Sequence, residues 1–397
     1  MMSPLRRHLA DLRGATRLAA DATLGLADLV EALHQRVASL PGAANDDRTA
    51  GIAGLVYKSI RGVTRLVGGS LDGLLALLAP MLRPGERIEP RERQAVLAAL
   101  NGVLGDHLAA TANPLATNMV LRHGGLALQL DAPALQTALP HATGRLLVLV
   151  HGLCMNDLQW SRDGHDHGQA LARELGFTPV YLLYNSGLPV HVNGAELARL
   201  MQSLLAAWPV PLQRVTMLCH SMGGLLARSA LHQGSLAGQT WPASVDEVVF
   251  LGTPHHGAPL ERAGHGLDVV LSALPYAAPL ARLGRVRSAG ITDLRHGSLL
   301  PPPDAGARPA PLPQHVPLPQ HPRFFALAAS LGADAAGAKS RLLGDGLVPV
   351  ASALGRHARA IRTLAFAPEK QAVLQGLNHL QLLSRPEVFD QLLKWLR

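Results

Sequence analysis

The chain has 397 residues, 48% of them hydrophobic and 16% charged, with a formal net charge of +8. The apolar share is enough for a large buried core and excludes a disordered chain. The positive charge comes from an Arg-rich, Lys-poor composition with no run of five basic residues and no basic stripe interleaved with aromatics, so no nucleic-acid partner is expected.

Aromatics make up only 4% of the chain, which leaves Leu, Ala and Val to build the core. Two cysteines, Cys154 and Cys219, do not form a disulfide framework, and a reducing compartment is the default. Both fall near the ends of neighbouring predicted strands; a bridge is open, and buried free thiols are favoured. The N-terminal MMSPLRRHLADLRGATRL lacks a clean apolar h-region, and the apolar stretch 74–82 is far short of the ~20 residues of a spanning helix. A cytoplasmic protein is expected, with membrane association left open.

In chain order, residues 1–116 read as a helical extension. Apolar positions recur at helical spacing through 18–33, 55–67 and 70–82, and Pro90 opens a fourth helix carrying Val96, Leu97, Leu100 and Leu104. Residues 42–51 form a polar break. These amphipathic helices, with Arg61 and Arg65, suit peripheral membrane contact or a homodimer face. A layer packed on the rest of the chain is favoured, because amphipathic helices usually face a core.

From Met119 the pattern changes. Two short apolar runs flank His123-Gly124-Gly125 and predict a β-hairpin over 119–130. Continuous apolar runs at 145–150, 178–184, 214–219, 247–252 and 324–329 suit strands buried on both faces of a parallel sheet. Helices are predicted at 194–208 and 222–233, a further strand at 361–366, and a closing helix at 386–396. The proline-rich 301–322 reads as a loop. The alternation indicates an α/β fold with a mostly parallel sheet, so 117–397 reads as one α/β domain following the helical extension.

The chemistry centres on Leu218-Cys219-His220-Ser221-Met222-Gly223-Gly224, between a predicted strand and a predicted helix. A serine on such a sharp turn exposes its hydroxyl, and the helix N-terminus stabilises negative charge beside it. The usual motif is Gly-x-Ser-x-Gly; here Cys219 replaces the first glycine and Gly223 meets the second. His151-Gly152-Leu153-Cys154 follows the strand at 145–150, where one backbone N–H of an oxyanion hole is expected. Leu153 and Met222 are the candidate donors, and His151 reads as a structural loop residue. The orienting acid and the base should follow in that order. Asp345, in Gly344-Asp345-Gly346, is preferred to Asp304 and Asp334, and His379 in a late loop is the candidate base. The His165-Asp166-His167 cluster reads as a solvated loop, and no metal or organic cofactor is expected.

These phrases, with GTPHHGAP at 252–259, GDGLVPVASALG at 344–355 and LNHLQLL at 377–383, resemble the α/β-hydrolase lipase/esterase superfamily, in particular bacterial lipase-like proteins of the GPI-inositol-deacylase and triacylglycerol-lipase branch. The resemblance covers about residues 117–397. It implies an α/β-hydrolase fold, a serine hydrolase acting on a hydrophobic ester, and a lid-like insertion at 258–322, whose apolar stretch 267–283 would cover the site. A thioesterase, an amidase with the same triad, and a non-catalytic binding scaffold are the alternatives.

Overall fold

The computed structural model describes residues 10–21, 23–24, 91–258, 288–301, 315–332 and 344–397. The expected helices at 55–67 and 70–82, most of the one at 18–33, the lid stretch 267–283, Asp304 and Asp334 lie outside them. The chain divides into two compact units, one of residues 1–88 and 108–116, the other of 89–107 and 117–397. In the smaller unit, Asn113 donates to the Gly14 carbonyl at 3.0 Å and Arg17 to that of Ala112 at 3.1 Å.

The larger unit is built on one eight-stranded sheet in the order β2-β1-β4-β3-β5-β6-β7-β8. The strands are β1 (Val120–His123), β2 (Leu126–Ala127), β3 (Arg145–Val150), β4 (Thr178–Leu183), β5 (Arg214–His220), β6 (Glu247–Leu251), β7 (Arg323–Ser330) and β8 (Gln371–Gln375). All pairings are parallel except those of β1 with β2 and with β4. The β1–β2 hairpin turns on Gly124 and Gly125 at φ 57° and 78°; two successive positive φ values match the right-handed strand twist and strongly favour glycine. The hairpin is shorter than expected, because 128–130 do not pair as strand.

Helices cover both faces, as a sheet with two apolar faces requires. In β3, Leu146, Val148 and Val150 join one core with Leu197 and Met201 of α4 (Val190–Ala206) and Leu226 and Ala230 of α5 (Met222–Leu236). Leu147 and Leu149 point the other way, into a core with Leu171 of α3 (His167–Leu175) and Val388 and Leu392 of α9 (Pro386–Leu396). These five β3 side chains are completely buried, each contributing about 1.5–3 kcal/mol. Other α-helices among the described residues include α1 (Arg91–Ala110), α2 (Ala132–Ala138), α6 (Trp241–Ser244), α7 (Ala289–His296) and α8 (Val350–Ala353).

Residues 91–107 of α1 are tied into the larger unit. Asn101 Oδ1 accepts from the Thr117 N–H at 2.8 Å, Asn185 Nδ2 donates to the Gly105 carbonyl at 2.9 Å, and Ser288 Oγ to that of Gly102 at 2.7 Å. At the N-terminal end of the central strands, Glu247 is fully buried and receives the guanidinium of Arg214, the hydroxyl of Thr216 at 2.6 Å, and Arg323.

Two expectations are corrected. Residues 361–366 are not a strand: Ala360–Arg362 form a single 3-10 turn, and Ile361 is 84% exposed. Leu364 and Phe366 are buried against the sheet core, which produced the apolar spacing, and the edge strand is the more polar Gln371–Gln375. The 165–167 cluster is solvated only in part: Asp166 caps α3 and accepts from the Tyr181 hydroxyl at 2.8 Å, while His167 is fully buried and donates to the Leu382 carbonyl at 3.0 Å.

Candidate active site

The order of the sheet reverses at β3: β4 lies on one side of it and β5 on the other. The carboxyl ends of β3 and β5 meet at this reversal, the position at which open α/β sheets generally place their ligand sites. The loop after β3 carries His151-Gly152-Leu153, and the turn after β5 carries Ser221.

Ser221 caps α5 with φ 54° and ψ −124°, a backbone conformation costing about 1–3 kcal/mol for a non-glycine residue. The surrounding structure holds it there. The Ser221 N–H donates to the Leu251 carbonyl at 2.8 Å, and the Ser221 carbonyl accepts from Gly224 at 3.0 Å. The first turn of α5 runs so close to β3 that a Cβ on Gly223 would lie 2.4 Å from the Val150 carbonyl oxygen and 2.6 Å from that of His151. A Cβ on Gly152 would stand 3.0 Å from the Ser221 Cβ, so the β3 loop passes directly over the serine. Cys219, where a glycine is usual, is accommodated because its side chain lies in the sheet core, fully buried, rather than against the turn.

Asp345 and His379 meet behind this turn. His379 Nδ1 is 2.6 Å from Asp345 Oδ2, and the His379 N–H donates to the Asp345 carbonyl at 3.0 Å. The other carboxylate oxygen accepts from the Leu347 and Val348 N–H groups at 3.0 and 2.8 Å. Because a carboxylate accepts, the neutral imidazole carries its proton on Nδ1 and presents an unprotonated Nε2. Gly252, at the end of β6, links the parts: a Cβ there would be 3.1 Å from both Asp345 Oδ2 and His379 Cε1. Its neighbour Leu251 receives the Ser221 N–H. Ser221, Asp345 and His379 are all buried.

The two candidate oxyanion donors flank Ser221, Met222 next in sequence and Leu153 beyond Gly152. Neither N–H donates to a protein acceptor among the described residues. At Met222 this is the ordinary state of a helix start, where the first N–H groups have no intrahelical acceptor.

Sequence reasoning did not single out His220. Its Nε2 lies 3.2 Å from the His379 carbonyl and its ring centroid 4.7 Å from that of His379, so it props the candidate base from below. Burial holds its pKa well below the ordinary value, which keeps it neutral. The only sequence signal was its place inside the serine motif. His151 stacks on Tyr184 at 4.3 Å and bonds through Nδ1 to the Gly152 carbonyl; burial lowers its pKa to about 4, and a neutral ring serves as a fixed wedge under the loop. Cys154 and Cys219 are free and buried, and burial raises the Cys154 thiol to about 12. Among the described residues no metal-binding group of three or more His, Cys, Asp or Glu assembles, and no helix is long and apolar enough to cross a membrane.

Residues 195–301 match the family model of the PGAP1-like alpha/beta domain. The mostly parallel sheet flanked by helices, with the serine turn after β5, has the architecture of an α/β-hydrolase fold. The matched segment runs from α4 through the serine turn to the end of α7. No match was found among curated proteins. Solved structures similar to this chain include the mature Bacillus licheniformis lipase BlEst2, at 19% identity over 64% of this chain and 91% of that one, with a TM-score of 0.41. Others are the RedJ thioesterase from the prodiginine pathway of Streptomyces coelicolor, at 14% identity over 65% and 91% with a TM-score of 0.35, and Aspergillus fumigatus lipase B, at 14% over 62% and 50% with a TM-score of 0.34.

Proposed function

We propose that the protein is a serine hydrolase that cleaves carboxylic esters of a hydrophobic acyl group through an acyl-enzyme on Ser221. The observation that carries this reading is the Asp345–His379 pair behind a strained serine turn. In the proposed reaction His379 Nε2 takes the Ser221 hydroxyl proton as Oγ attacks the ester carbonyl. Asp345 keeps the ring in the productive tautomer and stabilises the imidazolium. The Leu153 and Met222 N–H groups receive the oxyanion, an interaction worth about 3–4 kcal/mol for one donor. The tetrahedral intermediate then expels the alcohol, which takes its proton from His379, and water repeats the sequence to release the acid.

An apolar acyl chain is favoured because the candidate oxyanion donors Leu153 and Met222 belong to one hydrophobic cluster with Leu377 and Leu380, which bracket His379. Initial rates on p-nitrophenyl esters of two to sixteen carbons test this reading. It expects hydrolysis that is lost in Ser221→Ala, with a maximum above the acetate. Equal rates for wild type and Ser221→Ala would refute it.

A further inference from the structure

The loop after β6 and the outer half of α5 frame a second pocket. Among the described residues its wall holds three arginines, Arg228, Arg295 and Arg362, and five histidines, including His255, His256 and His357, and no carboxylate. Arg228 sits about 9 Å along the axis of α5 from Met222, and His255 follows Gly252 by three residues.

Arg228 is only 5% exposed. Its Nη2 donates to the Val316 carbonyl at 2.5 Å and its Nη1 faces His255 Nδ1 at 3.3 Å, while Nε has no partner. A guanidinium can only donate, so His255 Nδ1 accepts and the ring proton sits on Nε2. That Nε2 is also buried without a partner. Two buried donors therefore lack acceptors beside a cation that no carboxylate of the wall neutralises, an arrangement that is costly unless an anion fills it. The loop is held in shape for this: Ser352 Oγ donates to the Gly257 carbonyl at 2.8 Å and accepts from the His256 N–H at 3.2 Å, and His256 Nε2 bonds to the Gly355 carbonyl at 2.9 Å.

We propose that this pocket binds a phosphate group. The unfilled donors, Arg228 Nε and His255 Nε2, come from two elements in a wall rich in basic residues, and a tetrahedral phosphate, with three or four acceptor oxygens in different directions, suits such a wall better than the two oxygens of one carboxylate. Burial lowers the pKa of both His255 and Arg228, the change that an anion at the unfilled donors would offset. The phosphate is either free or part of a lipid headgroup, since both offer the same oxygens. Binding is read without turnover, so its outcome is separate from that of the esterase reading.

The test uses the full chain in two parallel arms at fixed ionic strength: calorimetric titration with inorganic phosphate, and co-sedimentation with phosphatidylcholine vesicles with and without phosphatidic acid. The variants are Arg228→Lys, which keeps the charge and loses the fork, and Arg362→Gln on the half-exposed wall, which reports if the first fails to fold by circular dichroism. Arg173→Gln, exposed on α3, is the charge-matched control. At least one ligand should bind the wild type, about tenfold or more weaker in the folded pocket variants and unchanged in the control. Loss in the phosphate arm assigns free phosphate, and loss confined to vesicles assigns a headgroup. Binding in neither arm, or weakening no greater than in Arg173→Gln, overturns the proposal.

Discussion

Asp345 Oδ2 stands 2.6 Å from His379 Nδ1, while the opposite oxygen of the same carboxylate is held by the Leu347 and Val348 N–H groups. The acid is thereby fixed by the backbone before it fixes the imidazole, and the imidazole in turn is backed by His220.

Asp345→Asn should keep the fold and lose the reaction. The amide can still receive both backbone N–H groups through its oxygen, but it then faces His379 with an NH₂ and favours the wrong tautomer. The expected fall in kcat is about 10³- to 10⁴-fold with little change in melting temperature. Steady-state kinetics beside thermal melts check this; a variant within twofold of wild-type kcat would remove Asp345 from the proposed machinery.

Gly223→Ala should be destabilising before it is inactivating. The added Cβ would meet the β3 carbonyl oxygens of Val150 and His151 at 2.4 and 2.6 Å, and backbone cannot swing aside as a side chain can. A loss of about 1–3 kcal/mol or more is expected in urea unfolding. Gly152→Ala would meet the Ser221 Cβ at 3.0 Å and His220 Nδ1 at 3.1 Å, looser contacts than those at Gly223, and should lower kcat with a smaller stability loss. Reversal of that order would show that the turn is not the tight point described.

Much of this was legible in the sequence because it is local. An uninterrupted apolar run such as 145–150 suits a strand covered on both faces, and the serine motif lies within seven residues of chain. Pairings between distant segments were less legible. The strand at 371–375 is half-exposed and polar at both ends, and only its hydrogen bonds to β7 make it a strand; Leu364 and Phe366 imitated one while packing as a loop. Asp345 and His379 were read as an order along the chain, and their contact spans 34 residues. The basic pocket left no sequence trace, since Arg228 and Arg362 come from elements far apart in the chain.

Acid should unfold the protein through its buried histidines. Burial lowers His151 to about 4 and His167 to about 3, against an ordinary value near 6.5. The unfolded chain binds the extra protons, so the stability these rings contribute is intact above about pH 6.5 and is lost as pH falls through 6 toward 4 and 3. Two such rings give a slope of about 2.7 kcal/mol per pH unit between roughly pH 5.5 and 4.5. His167→Gln can still donate to the Leu382 carbonyl and should lower the measured slope by one ring's share, about 1.4 kcal/mol per pH unit, since His220, His255 and His256 are depressed by burial as well. Denaturant melts at stepped pH measure it; an unchanged slope would assign acid sensitivity to other groups.

Glu247→Ala should cost about 3–5 kcal/mol in unfolding free energy, because Arg214, 16% exposed, and Thr216, fully buried, would lose a shared acceptor at the end of the sheet remote from Ser221. Surviving molecules should keep wild-type kcat. A loss under about 1 kcal/mol would mean that water replaces the carboxylate.

The central claim is that Ser221 is the nucleophile, and intact-mass analysis after treatment with a fluorophosphonate tests it most directly. The wild type should gain one adduct, mapped by peptide sequencing to Ser221, and Ser221→Ala should gain none while melting as a folded protein. An adduct of equal yield on the folded Ser221→Ala variant would contradict the account.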